Sequence, residues 1–394
     1  MKYKNPYALV LGGYVNGYSI IRELDECGVE NIALFDYGSS LASKSNKINY
    51  YDNFKKNNAN SLKEALFKLH KKSDYIVIFP TDDLQLENLY EIYEDIKEFC
   101  FIPFNYDNVI QSLDKYVQYE FCEKYDIPYP KTINIETIDD LDNIKNMMFP
   151  VLVKPNKRED LTTNVFRSLF LDDIKDFDKN KKLLEDFIKQ KITFLASEFI
   201  PGDDTNIYAY IGYRSQDGKI LNEWTGKKLT QFPDYFGVFR SGSNEAPEAV
   251  KEQGRKLLEV MDLKGINEPE FKYDYRDKKF KLMEINLRSM MWHRVGNLSG
   301  VNIQYSQWLD ALGEEVPKQI QNKEEIVHFV YMKHEIINLI CRKGYFKHFK
   351  NSVFGGDRRD FAVYNKGDIK PFMYDLKGLF KGVVGQCLRQ LGIR

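Results

Sequence analysis

Apolar positions in the first hundred residues alternate between two periods. Ala8-Leu9-Val10-Leu11 is a continuous apolar run closed by Gly12-Gly13, after which Ile20, Ile21, Leu24 and Cys27 recur at helical spacing. Ile32-Ala33-Leu34-Phe35 and Tyr75-Ile76-Val77-Ile78-Phe79 repeat the continuous kind of run. Unbroken apolar strands separated by amphipathic helices predict a parallel sheet covered on both faces, an α/β Rossmann-like domain. We assign it residues 1–112.

From Leu113-Asp114-Lys115 the spacing predicts a helix with Val117, Phe121 and Tyr125 on one face, running to Asp126 and ended by Pro128 and Pro130. From Phe149 onward short strands and turns take over. Asp217-Gly218 predicts one hairpin turn, and Arg276-Asp277-Lys278 a second hairpin tip. This region reads as α+β with mostly antiparallel sheet, in two subdomains at 113–195 and 196–320. Residues 321–394 form a C-terminal extension that is basic, aromatic and glycine-containing.

Composition narrows the function classes. The 394 residues are 43% hydrophobic, 14% aromatic and 29% charged, which suits two or three domains with real cores. The net charge of −1 argues against nucleic acid as the partner. Residues 341–394, however, hold 12 Lys/Arg against 4 Asp/Glu, a local +8 that leaves −9 for the rest. No apolar run approaches the roughly 20 residues that span a bilayer. The polar start, Met1 to Tyr7, is unlike a signal peptide, so a cytoplasmic location is expected. The five cysteines form no CxxC pair and the five histidines no metal spacing, so no zinc site is expected.

Four segments carry the candidate chemistry. They are Lys115 at a helix start, the strand Phe149 to Pro155 with Lys154, Ser197-Glu198-Phe199-Ile200-Pro201-Gly202, and Glu270 to Asp274 leading to Glu284-Ile285-Asn286-Leu287-Arg288. Taken singly, Lys154 reads as a solvated lysine and Glu198 as a surface charge. Taken together they suit nucleotide phosphates. Lys154 at a strand end is a fixed cation, and Glu284 and Asn286, two apart, share one strand face. With Glu270 across the hairpin they make an oxygen-only donor set suited to Mg²⁺.

These segments resemble the ATP-grasp superfamily over residues of about 1–315. The resemblance implies ATP as cosubstrate, lying between two α+β subdomains, with Lys115 and Lys154 on its phosphates. It implies adenine read by the backbone around Glu198, Phe199 and Ile200, and the ribose held by Asp204. Glu270, Glu284 and Asn286 match ligands of Mg²⁺ or Mn²⁺. Arg288 matches the arginine of an E-x-N-P-R ending in which Leu287 replaces the proline. The stretch from Trp224 to Pro233 would bring a cation to the γ-phosphate, Lys228 in preference to Lys227. The family's glycine-rich flap is replaced by Asn156-Lys157-Arg158-Glu159-Asp160, without glycine.

The Rossmann-like domain would hold the other substrate. Gly12-Gly13-Tyr14-Val15-Asn16-Gly17, between strand and helix, offers Gly13 and Asn16 to an anionic group. Its spacing is not the dinucleotide fingerprint. Asp82, past a strand's C-terminal end, suits an amino group, or equally a helix cap. Among ATP-grasp groups the chain is most similar to the D-aspartate ligase-like carboxylate–amine ligases. That implies an acyl phosphate attacked by an amine, the substrates being an amino acid or other carboxylate and a cell-envelope amine. Arg288, with His293 or Arg294, would stabilise the tetrahedral charge. Other acceptors, giving carboxylation or an ester, and a catalytically silent nucleotide-binding module are the alternatives. The basic extension reads as solvated surface. Its alternative role is peripheral contact with an anionic inner membrane face or with a phosphate-bearing acceptor. A homodimer is the default oligomer.

Overall fold

The computed structural model describes residues 2–38, 40–156, 165–232 and 238–390. The chain divides into two compact units: Met1–Leu113 with Asp203–Glu270 and Ile285–Arg394, and Asp114–Gly202 with Phe271–Glu284.

The larger unit begins with β1 (Pro6–Leu11), α1 (Val15–Glu26), β2 (Ile32–Asp36), β3 (Tyr50–Asn53), α2 (Ala59–His70), β4 (Tyr75–Phe79), α3 (Asp83–Glu91), α4 (Tyr93–Ile96), β5 (Cys100–Phe101) and α5 (Val109–Ser112). The five strands order β3-β2-β1-β4-β5 and every pair is parallel, as the apolar runs predict. Ala8, Leu9 and Val10 and Ile76 to Phe79 are completely buried, which is why these runs carry no polar alternation. The strand order reverses at β1 and β4, so the crevice beyond their C-terminal ends is a topological switch point.

The smaller unit holds α6 (Lys115–Lys124), β6 (Thr132–Ile135), β7 (Val151–Pro155), β8 (Leu169–Leu171), α7 (Ile174–Lys189) and β9 (Phe194–Glu198). Its antiparallel sheet orders β6-β9-β7-β8. Asp173 caps α7 through the amides of Lys175 and Asp176, and Phe177, Leu184 and Ile188 share one core with Val151, Val153 and Phe194. One expectation is corrected here. The buried face of α6 is Gln118, Tyr119 and Cys122, while Val117, Phe121 and Tyr125 are half-buried. The Tyr119 hydroxyl donates to the Met283 carbonyl at 2.9 Å, and that bond turns the tyrosine inward. The helix stops at Lys124, and Asp126 takes φ +52°.

The remaining elements are β10 (Ile207–Arg214), β11 (Ile220–Phe232), β12 (Val238–Ser243), α8 (Glu248–Val260), β13 (Gly265–Asp274), β14 (Lys279–Asn286), α9 (Arg294–Leu298), α10 (Ile303–Ala311), β15 (Val327–Val330), α11 (Met332–Cys341), α12 (Phe346–Phe354), β16 (Arg358–Phe361) and α13 (Ile369–Gln390). Both expected hairpin tips occur, with Gly218 at φ +80° and Lys278 at φ +58°. The second sheet orders β14-β13-β10-β11-β12-β15-β16. β13 and β14 pass from one unit into the other along the chain. The extension is built into the larger unit, because β15 pairs with β12 and β16 with β15. Buried Asp368 ties it to the first sheet's surroundings, accepting from Ser45 Oγ, Tyr18 Oη and the Asn46 amide. No described helix is long and apolar enough to cross a membrane.

Candidate functional site

In the larger unit, the switch-point crevice is lined by the turn after β1 and the turn after β4. Gly12 has φ +89°, and a side chain on Gly13 would collide with Ser40 Oγ and Asp36 Oδ2, so both positions need glycine. Asn16 is a strut. Its Nδ2 donates to Thr81 O at 3.3 Å and its Oδ1 accepts from the Met291 amide at 3.1 Å. Asp82 caps α3 in a reciprocal box with Gln85, the helix-cap alternative for that residue. The next residue, Asp83, holds Arg288 Nε at 2.7 Å. That contact brings Arg288 to the C-terminal edge of the parallel sheet, which the sequence did not reveal.

Deeper in the same unit, Lys228 Nζ lies 3.4 Å from Glu270 Oε2, and both side chains are buried. Lys227 is brought instead to Glu245, at 3.0 Å, as strand alternation requires of adjacent residues. Beside them sits Glu268, absent from the sequence expectations. It is completely buried, accepts from Trp292 Nε1 at 3.0 Å, and faces His293 Nε2 at 2.5 Å and Asn286 Nδ2 at 3.4 Å. Its spacing of two from Glu270 was the available signal. Burial pushes its carboxyl up to about 7, and it shares a hydrogen bond with Glu270 that acts in the other sense.

Burial, and then the charge of Arg288, lower the His293 imidazole to about 3. Its Nδ1 faces the Met290 amide at 3.4 Å, which assigns the proton to Nε2, toward Glu268. His293 is thus a neutral donor within the protein, with its imidazole held between Glu268 and the Met290 amide. Arg294 is engaged in ion pairs. Its guanidinium is spent on Glu26 and on Asp360, which also binds Arg22. Asp204, expected at a ribose, is buried with Oδ2 accepting from the Gln231 amide at 3.1 Å and 3.7 Å from Arg342 Nη1.

In the smaller unit, Lys115 Nζ lies 3.8 Å from Glu284 Oε2 and 5.9 Å from the Tyr119 ring centroid. Burial first, and the Lys115 charge second, push the Lys154 ammonium down to about 8. The Lys154 side chain as a whole is exposed to water. At the expected adenine hinge, the Glu198 amide donates to Lys131 O and the Phe199 amide to Pro150 O. Both donors are therefore committed, while Ile200 is buried. Lys272 lies over the Phe199 ring at 5.1 Å, held by Gly202 O. Of the expected flap, residues 157–160 lie outside the described residues, as does Pro233.

Among the described residues no three His, Cys, Asp or Glu side chains converge on a metal position. Mg²⁺ needs no such cage, since it is bound by one or two carboxylates together with substrate phosphates. Glu270 and Glu284 each face a lysine ammonium here. Carboxylate and amide oxygens are the hard donor type that this ion takes.

No protein-family model matches the chain. It is 26% identical over 257 residues to a D-aspartate ligase of Enterococcus faecium (strain Aus0004), a match spanning 61% of each chain. Among solved structures it is similar to N5-carboxyaminoimidazole synthetase from Staphylococcus aureus complexed with ADP, with TM-score 0.63 and 15% identity over 83% of this chain and 82% of that one. It is also similar to phosphoribosylglycinamide synthetase from Anaerococcus prevotii, at TM-score 0.62, 14% identity and 82% and 80% coverage. An L-amino acid ligase from Bacillus licheniformis gives TM-score 0.58, 14% identity and 82% and 79% coverage. At these identities the structural likeness establishes the fold.

Proposed function

We propose that this chain, which has the ATP-grasp fold, is an ATP-dependent carboxylate–amine ligase that joins an amino acid to an amine on a cell-envelope or other small-molecule precursor. The observation that carries the reading is the pairing of cation with carboxylate in each unit, Lys228 with Glu270 and Lys115 with Glu284. Such pairs supply both what phosphates need and what a phosphate-bound cation needs. The similarity to a D-aspartate ligase supports the amino-acid substrate.

The substrate carboxylate attacks the γ-phosphorus of ATP, the bond to the β-phosphate oxygen breaks, and ADP leaves. The amine then attacks the acyl carbon, loses a proton, and expels phosphate. Lys115 and Lys154 bind the phosphates as point charges, and Lys228 holds the transferring group. A divalent cation on Glu270, Glu284 and Asn286 would neutralise phosphate charge. Arg288, anchored by Asp83, binds the substrate carboxylate and then the developing oxyanion. The hinge reads adenine through Ile200 and through carbonyl oxygens, because the Glu198 and Phe199 amides are committed. Asp204, which also accepts from the Gln231 amide, holds the ribose. A reaction that draws on ATP suits the cytoplasm, with dimerisation as the default assembly.

The test is a screen of amino acids, D and L, for stimulated release of ADP and phosphate in the presence of hydroxylamine, which traps an acyl phosphate. Amino-acid-dependent hydroxamate with ADP supports the reading. Release of AMP and pyrophosphate, or no turnover with any carboxylate, refutes it.

A further inference from the structure

Glu268 belongs to no part of the reaction as described, yet it is a fully buried carboxylate on the same face of β13 as Glu270. Its two oxygens do different things. Oε2 takes the Trp292 indole N–H at 3.0 Å and His293 Nε2 at 2.5 Å. Oε1 takes the Asn286 amide nitrogen at 3.4 Å.

A primary amide has one end that donates and one that accepts. A carboxylate oxygen in front of Nδ2 fixes which end is which, so Oδ1 of Asn286 must point away from Glu268. Only the oxygen can ligate a hard cation. A half-turn of the amide would present an NH₂ group instead and remove a ligand.

Glu268 is itself held still. Trp292 packs edge-on against Trp224 with centroids 4.9 Å apart, and both indoles are buried. Gly226 and Gly296 admit them, since a Cβ at Gly226 would lie 2.8 Å from Trp292 Cζ3 and one at Gly296 2.5 Å from Trp224 Nε1. The two buried indoles thus pack closely behind the carboxylate, and dense packing restricts its rearrangement.

We propose that Glu268 is a positioning residue that locks the Asn286 amide with its oxygen toward the metal. The inference rests on the metal reading above. Outer hydrogen-bond partners of metal ligands affect affinity by about 10–100-fold when replaced.

The experiment follows Mn²⁺ binding to the full chain by electron paramagnetic resonance in the presence of ADP, with ADP affinity measured separately without metal. Glu268→Gln should weaken Mn²⁺ by roughly 10-fold or more while metal-free ADP binding is unchanged. A merely structural loss would weaken both. The swap Glu268→Gln with Asn286→Asp restores the pair with donor and acceptor exchanged, and either aspartate oxygen can ligate, so most of the Mn²⁺ affinity should return. The swap also provides the test if the single variant fails to fold. Equal Mn²⁺ affinity in wild type and Glu268→Gln, or no recovery in the swap, overturns the role of Glu268. If the wild type with ADP binds no Mn²⁺ at all, the metal reading falls and this inference with it.

Discussion

His293 Nε2 lies 2.5 Å from Glu268 Oε2, and neither side chain reaches solvent. Burial acts on the two groups in opposite senses, so the pair leaves a signature in stability against pH. The imidazole is lowered to about 3. Its contribution is intact above the unfolded value near 6.5 and is lost as pH falls toward 3. The Glu268 carboxyl is raised to about 7. It costs nothing below the unfolded value near 4.5, and the cost of burying its charge grows as pH rises to 7. Glu268→Gln removes only the second effect. Its stability relative to wild type should therefore rise between pH 4.5 and 7.5, by about 1–3 kcal/mol, in urea titrations. A difference that stays flat across that range would show that the charge is not costly there.

Lys228 and Glu270 are a buried pair, and their loss should separate stability from activity. Lys228→Met removes the cation 3.4 Å from the buried Glu270 carboxylate, a loss on the scale of about 3–5 kcal/mol. Adding Glu270→Gln removes the buried charge and should recover most of that stability. Turnover should stay at least about 10²-fold down in both, because a preorganised phosphate contact is gone. Thermal melts and ADP release on the same preparations decide it. A double variant with restored activity would mean that the pair is purely structural.

Lys154 gives a functional pH dependence. A lysine lowered to about 8 carries its charge below that pH and loses it above. The KM for ATP should rise as pH climbs through the range in which Lys154 loses its charge. Lys154→Arg keeps its charge throughout and should flatten the rise, whatever it does to kcat. Initial rates from pH 7 to 9.5 in both proteins test this. A wild-type KM that is level over that range argues against a phosphate role.

What the sequence made legible was whatever obeys a short period. The parallel sheet followed from the unbroken runs at Ala8–Leu11 and Tyr75–Phe79, and the hairpins from Asp217-Gly218 and Arg276-Asp277-Lys278. What escaped was pairing across long separations. Nothing local to Arg294 indicates Glu26, 268 residues earlier, and nothing local to Arg288 indicates Asp83, 205 residues earlier. The same limit explains α6. Spacing chose Val117, Phe121 and Tyr125, but the hydroxyl of Tyr119 found a carbonyl on β14 and decided which side is buried. Glu268 escaped differently, because what distinguishes it is complete burial among distant residues, which its neighbours in the chain do not indicate.

α13 carries Lys370 and Lys377 and exposes Ile369, Met373 and Tyr374, a mixture of lysines and apolar groups suited to an anionic surface. Its first half cannot be removed to test this. Phe372, Leu376 and Leu379 line an apolar cavity of about 350 Å³ with Tyr331 and Val363, and Asp375 accepts from Tyr331 Oη and Lys333 Nζ. A cut that spares those contacts removes residues 381–394, which hold Lys381, Arg389 and Arg394 and no acidic residue. Each cation near an anionic bilayer contributes about 1 kcal/mol, so three together correspond to roughly a hundredfold in binding at low salt. Truncation should lower retention on phosphatidylglycerol vesicles by more than about tenfold, while ADP release with a small amine is unchanged. Wild-type binding should also weaken with salt over a screening length of about 8 Å at physiological strength. Equal vesicle retention before and after truncation, or retention indifferent to salt, would make this segment ordinary solvated surface.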